Sequence, residues 1–329
     1  MFVITGGAGF IGSNVLAEIE KRQLGEVVIA DRMFDSAKWR NVSKRYSLRD
    51  IIFTENLIPY LNRHVNEVEA VLHFGAMYNS EAGRVDAIVH SNIHFTDDLF
   101  SWCTENEKPL LFASTAGVYG DGAFGFKDDD SRDALARLNP LTPMAWTKLF
   151  VERRIIEYEI QNKPVPPQWV SLRFFNLYGP NEYHKIGHQS VIPPIYNCAK
   201  NGKLFPLFRS ENPAYKNGDQ MRDFMWIDDC ADVVLWFLEH RDVTGVFNVG
   251  TGLARTYADV LRAVYAAVGE KPEMDFIDLP ADLKGIYQYF TQADMTKLRA
   301  AGYTKSFTPL EEGVERYVKD WLSSTDPYR

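Results

Sequence analysis

The stretch Thr5-Gly6-Gly7-Ala8-Gly9-Phe10-Ile11-Gly12-Ser13-Asn14, set directly behind the apolar run Phe2-Val3-Ile4, constrains the fold more than any other part of the chain. An apolar strand stops at a glycine turn, and helix-forming residues follow. Gly6 permits the tight turn, Gly9 lets a pyrophosphate approach the backbone, and Gly12 lets the helix lie close to the strand. The free amides of the first helical turn, Phe10 and Ile11 among them, present donors and a helix dipole to phosphate oxygens. A second strand, Glu26-Val27-Val28-Ile29-Ala30, ends in Asp31. An acid roughly 20 residues beyond such glycines is placed to hold an adenosine ribose. The competing reading is a glycine turn that serves the backbone alone. The acid at the end of the second strand favours the dinucleotide.

At 329 residues the chain is long enough for one large α/β unit or two domains. With 46% apolar and 24% charged residues it has ample material for a packed core. A net charge of −8 with no basic block argues against nucleic acid as the main partner. The three cysteines, Cys103, Cys198 and Cys230, have no CxxC or histidine spacing. They read as buried structural thiols in a reducing compartment, with no metal implied. No apolar run reaches about 18 residues and no charged leader precedes the first strand, so the expectation is a cytoplasmic protein without a membrane partner.

Positive charge follows Asp31 at Arg32, Lys38, Arg40, Lys44 and Arg45. Guanidinium and ammonium groups there suit a 2′-phosphate and favour NADP, whereas Asp31 itself suits the unphosphorylated ribose of NAD. Val68 to Ala76 reads as the next central strand, with Gly75 at its exit and His73 as a packed strand-end histidine. A long amphipathic helix through Ile88, Ile93, Leu99 and Trp102 should follow, carrying Asn92 toward backbone or cofactor. Leu110 to Gly120 is a buried strand running into Ser114 and Thr115, hydroxyls at the strand end where ligands bind. A helix from about Pro143 to Gln161 sets Met144 and Lys148 on one face, because residues four apart stack. After the strand Trp169 to Phe174 come Asn176 and a polar loop with His184, Lys185 and His188. The expected fold is α/β: a Rossmann-type doubly wound parallel sheet over residues 1–175, also receiving roughly 226–250. A smaller mixed lobe is expected from 176–225 and 251–329.

These motifs resemble the extended short-chain dehydrogenase/reductases of the sugar-nucleotide branch. Within that branch the chain is similar to the ADP-L-glycero-D-manno-heptose 6-epimerases. The resemblance spans almost the whole length: TGGAGFIGSN, DRMFDSAKWRN, STAGVYG, FFNLYGPNEYHK, RDFMWIDD, FNVGTG and, most specifically, YQYFTQADMTKLRAAGY. It implies an enzyme that oxidises a nucleotide sugar at C6″, holds the keto intermediate, and re-reduces it on the other face without net redox change. It further implies a tightly held NADP or NAD, an ADP-sugar substrate and a homo-oligomer. By resemblance Thr115 positions the reacting alcohol, Lys148 lies beneath the nicotinamide ribose, and Lys185 is a second acid/base group. Asn176, Asn79, His188 and Tyr287 contact the sugar nucleotide, and Arg222 clamps its diphosphate. Without a ligand, Arg222 reads as a surface ion pair with Asp223 or Asp228.

Two positions depart from the family pattern. The general base of the family is a tyrosine four residues before the lysine, and here that position is Met144. A thioether neither takes nor gives a proton, and general acid–base help is typically worth about 10²–10⁴-fold in rate. Trp146, at the second aromatic position, cannot replace it. The family's Ser/Thr-rich run after Gly75-Ala76 is here Met77-Tyr78-Asn79-Ser80-Glu81-Ala82-Gly83-Arg84. Three readings follow. One is a working epimerase with Lys185 as base, or Tyr78, Glu81 or His188. Another is a paralogue that binds cofactor and nucleotide sugar without epimerising. The third is dehydratase-like chemistry, disfavoured because Ala116 stands where the Ser-Thr-Asp of the dehydratases has its acid.

Overall fold

Six short, largely apolar runs and one charged, partly exposed edge segment, Leu48–Ile52, pair into one parallel sheet. The computed structural model describes residues 1–33, 37–77, 85–185 and 187–329. Strands β1 (Phe2–Thr5), β2 (Val27–Ala30), β3 (Leu48–Ile52), β4 (Ala70–His73), β5 (Leu110–Thr115) and β6 (Trp169–Phe174) belong to this sheet, as does the later strand over Gly245–Val249. Between β6 and that later strand lie β7 (Asn176–Tyr178), β8 (Pro206–Phe208) and β9 (Met221–Trp226), so Gly245–Val249 is β10. The order is β3-β2-β1-β4-β5-β6-β10, and every neighbouring pair is parallel. β1, β2, β4 and β6 are buried at every position, as expected of parallel strands covered on both faces. Strand order reverses on either side of β1, which opens a crevice at the carboxyl ends of β1 and β4. The doubly wound α/β fold read from the sequence is the one observed.

The covering helices are α1 (Phe10–Lys21), α2 (Leu57–Arg63), α3 (Val85–Val89), α4 (Phe95–Glu105), α5 (Arg132–Arg137), α6 (Pro143–Ile160), α7 (Ile192–Lys200), α8 (Ile227–Glu239), α9 (Tyr257–Val268), α10 (Thr296–Ala300) and α11 (Leu310–Arg316). The single helix expected through Ile88 and Trp102 is instead α3 and α4 joined by a π turn, His90–His94. The extra residue of that turn brings Asn92 wholly inside. α6 begins where the sequence requires it: Thr142 Oγ1 accepts from Ala145 N at 3.3 Å, and Pro143 occupies the first turn.

The smaller lobe is mixed. β9 pairs parallel with β7 and antiparallel with β11 (Ala254–Thr256), while β8 pairs with β12 (Asp275–Ile277). A separate apolar cluster that includes Tyr178, Ile192, Tyr196, Phe224, Trp226, Leu261 and Tyr317 holds it together. Cys103 and Cys230 are buried free thiols, as expected; Cys198 is only half-buried, on the outer part of α7. No helix among the described residues is long and apolar enough to cross a membrane.

Candidate active site

The β1–α1 turn is shaped by what its glycines leave out. Gly6 has φ +64°, and a Cβ there would stand 2.6 Å from the Gly75 nitrogen at the exit of β4. A Cβ on Gly12 would meet the Gly6 carbonyl at 2.4 Å, so α1 can approach the turn only without one. No side chain caps α1, and its first helical bond runs from Ser13 N to Gly9 O. The amides of Phe10, Ile11 and Gly12 therefore precede the hydrogen-bonded helix, the arrangement that holds phosphate.

Asp31 is buried at the tip of β2 and anchored to the turn, its Oδ2 accepting from Ala8 N at 2.9 Å. Its Oδ1 accepts from Arg32 N at 2.7 Å and pairs with the Lys38 ammonium. The Arg32 guanidinium pairs with Glu55. Asp31 and Lys38 are thus brought together, while Arg32 turns toward an acid of its own.

Behind the crevice lies a directed chain of hydrogen bonds. His73 is fully buried, and burial, followed by the Lys148 charge, pushes its pKa well below the usual value, so the ring is neutral. Thr96 Oγ1 donates to the Asn92 carbonyl at 2.8 Å, so it accepts from His73 Nε2 at 2.9 Å, which leaves Nδ1 to accept from Thr5 Oγ1 at 2.6 Å. This is the packed strand-end histidine that the sequence suggested. Asn92, read on the sequence as turned toward backbone or cofactor, closes its amide on the backbone of Met77. Its Oδ1 accepts from Met77 N and its Nδ2 donates to Met77 O, each at 2.8 Å. It also donates to Thr147 Oγ1 at 3.2 Å, which ties the β4 exit to α6.

Lys148 points inward from α6, 4% exposed, and its Nζ has no hydrogen-bond partner among the described residues. Burial pushes its pKa down to about 8, against the opposing pull of Glu152 one turn on. Glu152 is held by the Arg173 guanidinium at 2.7 Å, both groups fully buried, and by Ser171 Oγ at 2.8 Å. Met144 lies one turn before Lys148, half-buried. Thr115 Oγ1, at the end of β5, accepts from Gly117 N at 3.1 Å. A Cβ on Gly117 would lie 3.4 Å from Thr115 Oγ1 and 3.1 Å from Ala145 Cβ, so the β5 exit sits directly on the first turn of α6. The neighbouring phenol, Tyr119, is no substitute base. Burial pushes its pKa up to about 12, and it donates to Asn248 Oδ1 at 2.7 Å.

On the smaller lobe, Asn176 is half-buried in β7. Lys185 Nζ stands 5.2 Å over the Phe10 ring, and burial lowers its pKa while Glu182 opposes the shift. The Arg222 guanidinium is 5.3 Å from the Tyr287 ring centroid and 5.7 Å from that of Tyr257, so Arg222 and Tyr287 share one surface. The ion pair suggested for Arg222 is not formed. Asp223 accepts from Thr251 N, Gly252 N and Ala293 N, and Asp228 pairs with Arg329. His188 is exposed, with its backbone N–H on the Lys185 carbonyl at 2.7 Å. Asn79, with Tyr78 and Glu81, lies outside the described residues.

The model of the NAD dependent epimerase/dehydratase family matches residues 2–250. The chain belongs to this family. Within the family, it is 38% identical to an ADP-L-glycero-D-manno-heptose-6-epimerase of Nitratidesulfovibrio vulgaris (strain DP4) over the full length of both chains. It is 35% identical, again over the full length of both, to the enzyme of that name from Fusobacterium nucleatum. The Helicobacter pylori ADP-L-glycero-D-manno-heptose-6-epimerase shares the fold with a TM-score of 0.76 at 23% identity, over 97% of this chain and 95% of that one. The Thermus thermophilus UDP-glucose 4-epimerase, solved with NAD, superimposes with a TM-score of 0.74 at 24% identity, over 98% and 99% of the two chains. The likeness to the heptose 6-epimerases seen in the motifs therefore extends along the whole family chain.

The cleft fits the family's dinucleotide on its own chemistry. Among the described residues the open α1 amides and the buried Lys148 Nζ are donors without protein acceptors, and Ser114 Oγ is a second buried orphan. Four groups that shape the cleft are not evident from motif reading: Thr5, Thr96, Thr147 and the Glu152–Arg173 pair. Two signals were present. Glu152 continues the spacing of Met144 and Lys148, and Arg173 is the one charge in the apolar run Trp169 to Phe174.

Proposed function

We infer that this chain is an NADP-dependent epimerase acting on an ADP-sugar of the heptose type at C6″, with an altered proton-transfer apparatus. The observation that carries the reading is the 38% identity to a heptose 6-epimerase over the full length of both chains, supported by the retained Lys148, whose ammonium has no partner among the described residues. The α1 amides would hold the pyrophosphate and Lys148 the nicotinamide ribose. Lys38, fixed by Asp31, gives a cation beside the adenosine ribose, and this favours a 2′-phosphate. When bound, the cofactor supplies a site that takes and returns a hydride.

Thr115 Oγ1 has its acceptor side engaged by Gly117 N, which leaves its proton for an alcohol oxygen. Arg222 against Tyr287 and Tyr257 offers a guanidinium to a diphosphate, with Asn176 and His188 toward the sugar. Lys185, its pKa lowered by burial, is the group assigned to proton transfer in this reading, because Met144 stands in for the tyrosine. In this reading residues 1–175 with 226–250 form the dinucleotide lobe, and 176–225 with 251–329 form the sugar-nucleotide lobe. The protein works in the cytoplasm as a homo-oligomer, in carbohydrate metabolism that supplies lipopolysaccharide core.

Met144 itself favours a second reading, a paralogue that holds cofactor and nucleotide sugar without turnover. Incubating the protein with ADP-D-glycero-D-manno-heptose and following the configuration at C6″ separates the two. Epimerisation supports the first. Retained NADP without epimerisation removes it and leaves the second.

A further inference from the structure

Residues 326–329 fasten together the segments that wall the adenosine end of the dinucleotide cleft. The Tyr328 ring lies under the Arg40 guanidinium at 4.4 Å and meets Tyr183 edge-on at 5.3 Å. Its carbonyl accepts from Lys44 Nζ at 2.6 Å, and Asp326 pairs with the same lysine at 2.8 Å. Tyr183 in turn donates its hydroxyl to the Pro327 carbonyl at 3.0 Å. Arg329 donates its N–H to Asn181 Oδ1 at 2.9 Å and a guanidinium N–H to Asn14 Oδ1 at 3.0 Å. It also pairs with Asp228 and reaches Glu18 at 3.7 Å.

Those partners lead straight to the cleft. Asn181, at φ +72°, donates to Ser13 Oγ at 3.0 Å. Asn41 donates to the Asn181 carbonyl at 3.1 Å and to the Ala8 carbonyl at 2.8 Å. Ala8 is the residue whose N–H holds Asp31. The 3-10 turn Ala37–Asn41, which carries Lys38, is therefore pinned on its outer side by Tyr328 and on its inner side by Asn41. Moving that turn outward means releasing Tyr328 from Arg40 and Lys44.

We propose that residues 326–329 are a strap that holds the dinucleotide in its cleft, with Tyr328 and Arg329 as positioning residues for cofactor retention. The proposal rests on the cofactor reading above. A reaction that removes a hydride and returns it within one turnover requires the reduced cofactor to stay bound between the two steps, so slow release has a direct use. The strap is held largely by charge pairs, Lys44–Asp326, Arg329–Asp228 and Arg329–Glu18, which salt weakens.

The test uses the purified chain loaded with NADPH and mixed with excess NADP, following release by nicotinamide fluorescence. The double variant Tyr328→Ala/Arg329→Ala should release NADPH about tenfold faster, the order expected for losing a cation–π contact and partly buried ion pairs. Its far-ultraviolet circular dichroism should match the wild type. Tyr328→Phe keeps the ring and the carbonyl and should release at the wild-type rate. Added NaCl should speed release from the wild type more steeply than from the double variant, a slope that general destabilisation would leave in place. Equal release rates for the double variant and the wild type would overturn the strap. So would a double variant that fails to fold, because the segment would then be a fold element. A wild type that binds neither NADPH nor NADH would overturn the cofactor reading itself, and this differs from bound NADPH with unchanged release.

Discussion

Met144→Tyr tests whether the cleft lacks only a proton carrier. Thr147 Oγ1 donates to the Met144 carbonyl at 2.7 Å and Thr142 caps the helix, so the backbone at 144 is held without help from its side chain. Residues four apart on a helix have Cβ atoms about 5–6 Å apart, which sets a phenol at 144 beside the Lys148 ammonium. At roughly 5 Å and an effective dielectric constant of about 20, that charge favours the phenolate by about 3 kcal/mol, or about 2 pKa units. A phenol near 10 thus falls toward about 8, within reach of an alcohol proton at neutral pH. Lys148, itself at about 8, carries its charge below that pH, so the gain should be greatest near neutrality and fade as pH rises. General acid–base catalysis is worth about 10²–10⁴-fold, or roughly 3–5 kcal/mol of barrier. The assay is the rate of C6″ inversion of ADP-heptose by wild type and variant at equal cofactor occupancy. A rise of about 10²–10⁴-fold is expected. A folded variant that retains NADP and shows no rise would refute the reasoning, because position 144 would then not face the reacting carbon.

Three further outcomes follow from the same geometry. Burial holds Lys148 at about 8 in the folded chain against the ordinary lysine value of 10.5, so the unfolded chain binds the extra proton between those values and stability rises with pH across that window. Without cofactor, Lys148→Met should therefore be more stable than wild type by about 3 kcal/mol near pH 7, the gap closing toward pH 10.5; parallel pH–stability curves from urea unfolding would contradict this. Arg173→Met leaves the Glu152 carboxylate buried and unpaired, and should cost about 3–5 kcal/mol by the same measurement, with much of it recovered in Glu152→Gln/Arg173→Met. Gly6→Ala forces a side chain into a left-handed φ and against the Gly75 backbone. It should lose at least about 1–2 kcal/mol and weaken dinucleotide binding in calorimetric titration.

The proton-transfer question also turns on groups beside position 144. Tyr119 is buried, hydrogen-bonded and raised to about 12, and His73 is locked neutral between two hydroxyls. Neither is placed to exchange a proton with substrate. Lys185 has a pKa lowered by burial, and its ammonium stands over the first residue of α1.

The buried strands of the sheet, the glycine turn and the helix carrying Met144 and Lys148 are written in local pattern, whereas the edge strand Leu48–Ile52, with Arg49 and Asp50 inside it, is not. Apolar runs of strand length, glycines three apart and residues spaced four apart need no distant partner to be recognised. The mixed lobe was legible only as a loss of alternation, since strands of three residues such as β7 and β11 carry no periodicity. Tertiary structure alone decided the rest. Asn92 turned to the backbone of Met77 because a π turn carried it inside, and a buried amide must find partners. Lys148 lost its ordinary basicity because packing removed it from water. Tyr328 and Arg329 came to rest on Arg40, Asn14 and Asn181, residues far away along the chain. Charge partners, protonation states and the closing of a cleft depend on which distant segments share one environment, and no local pattern encodes that.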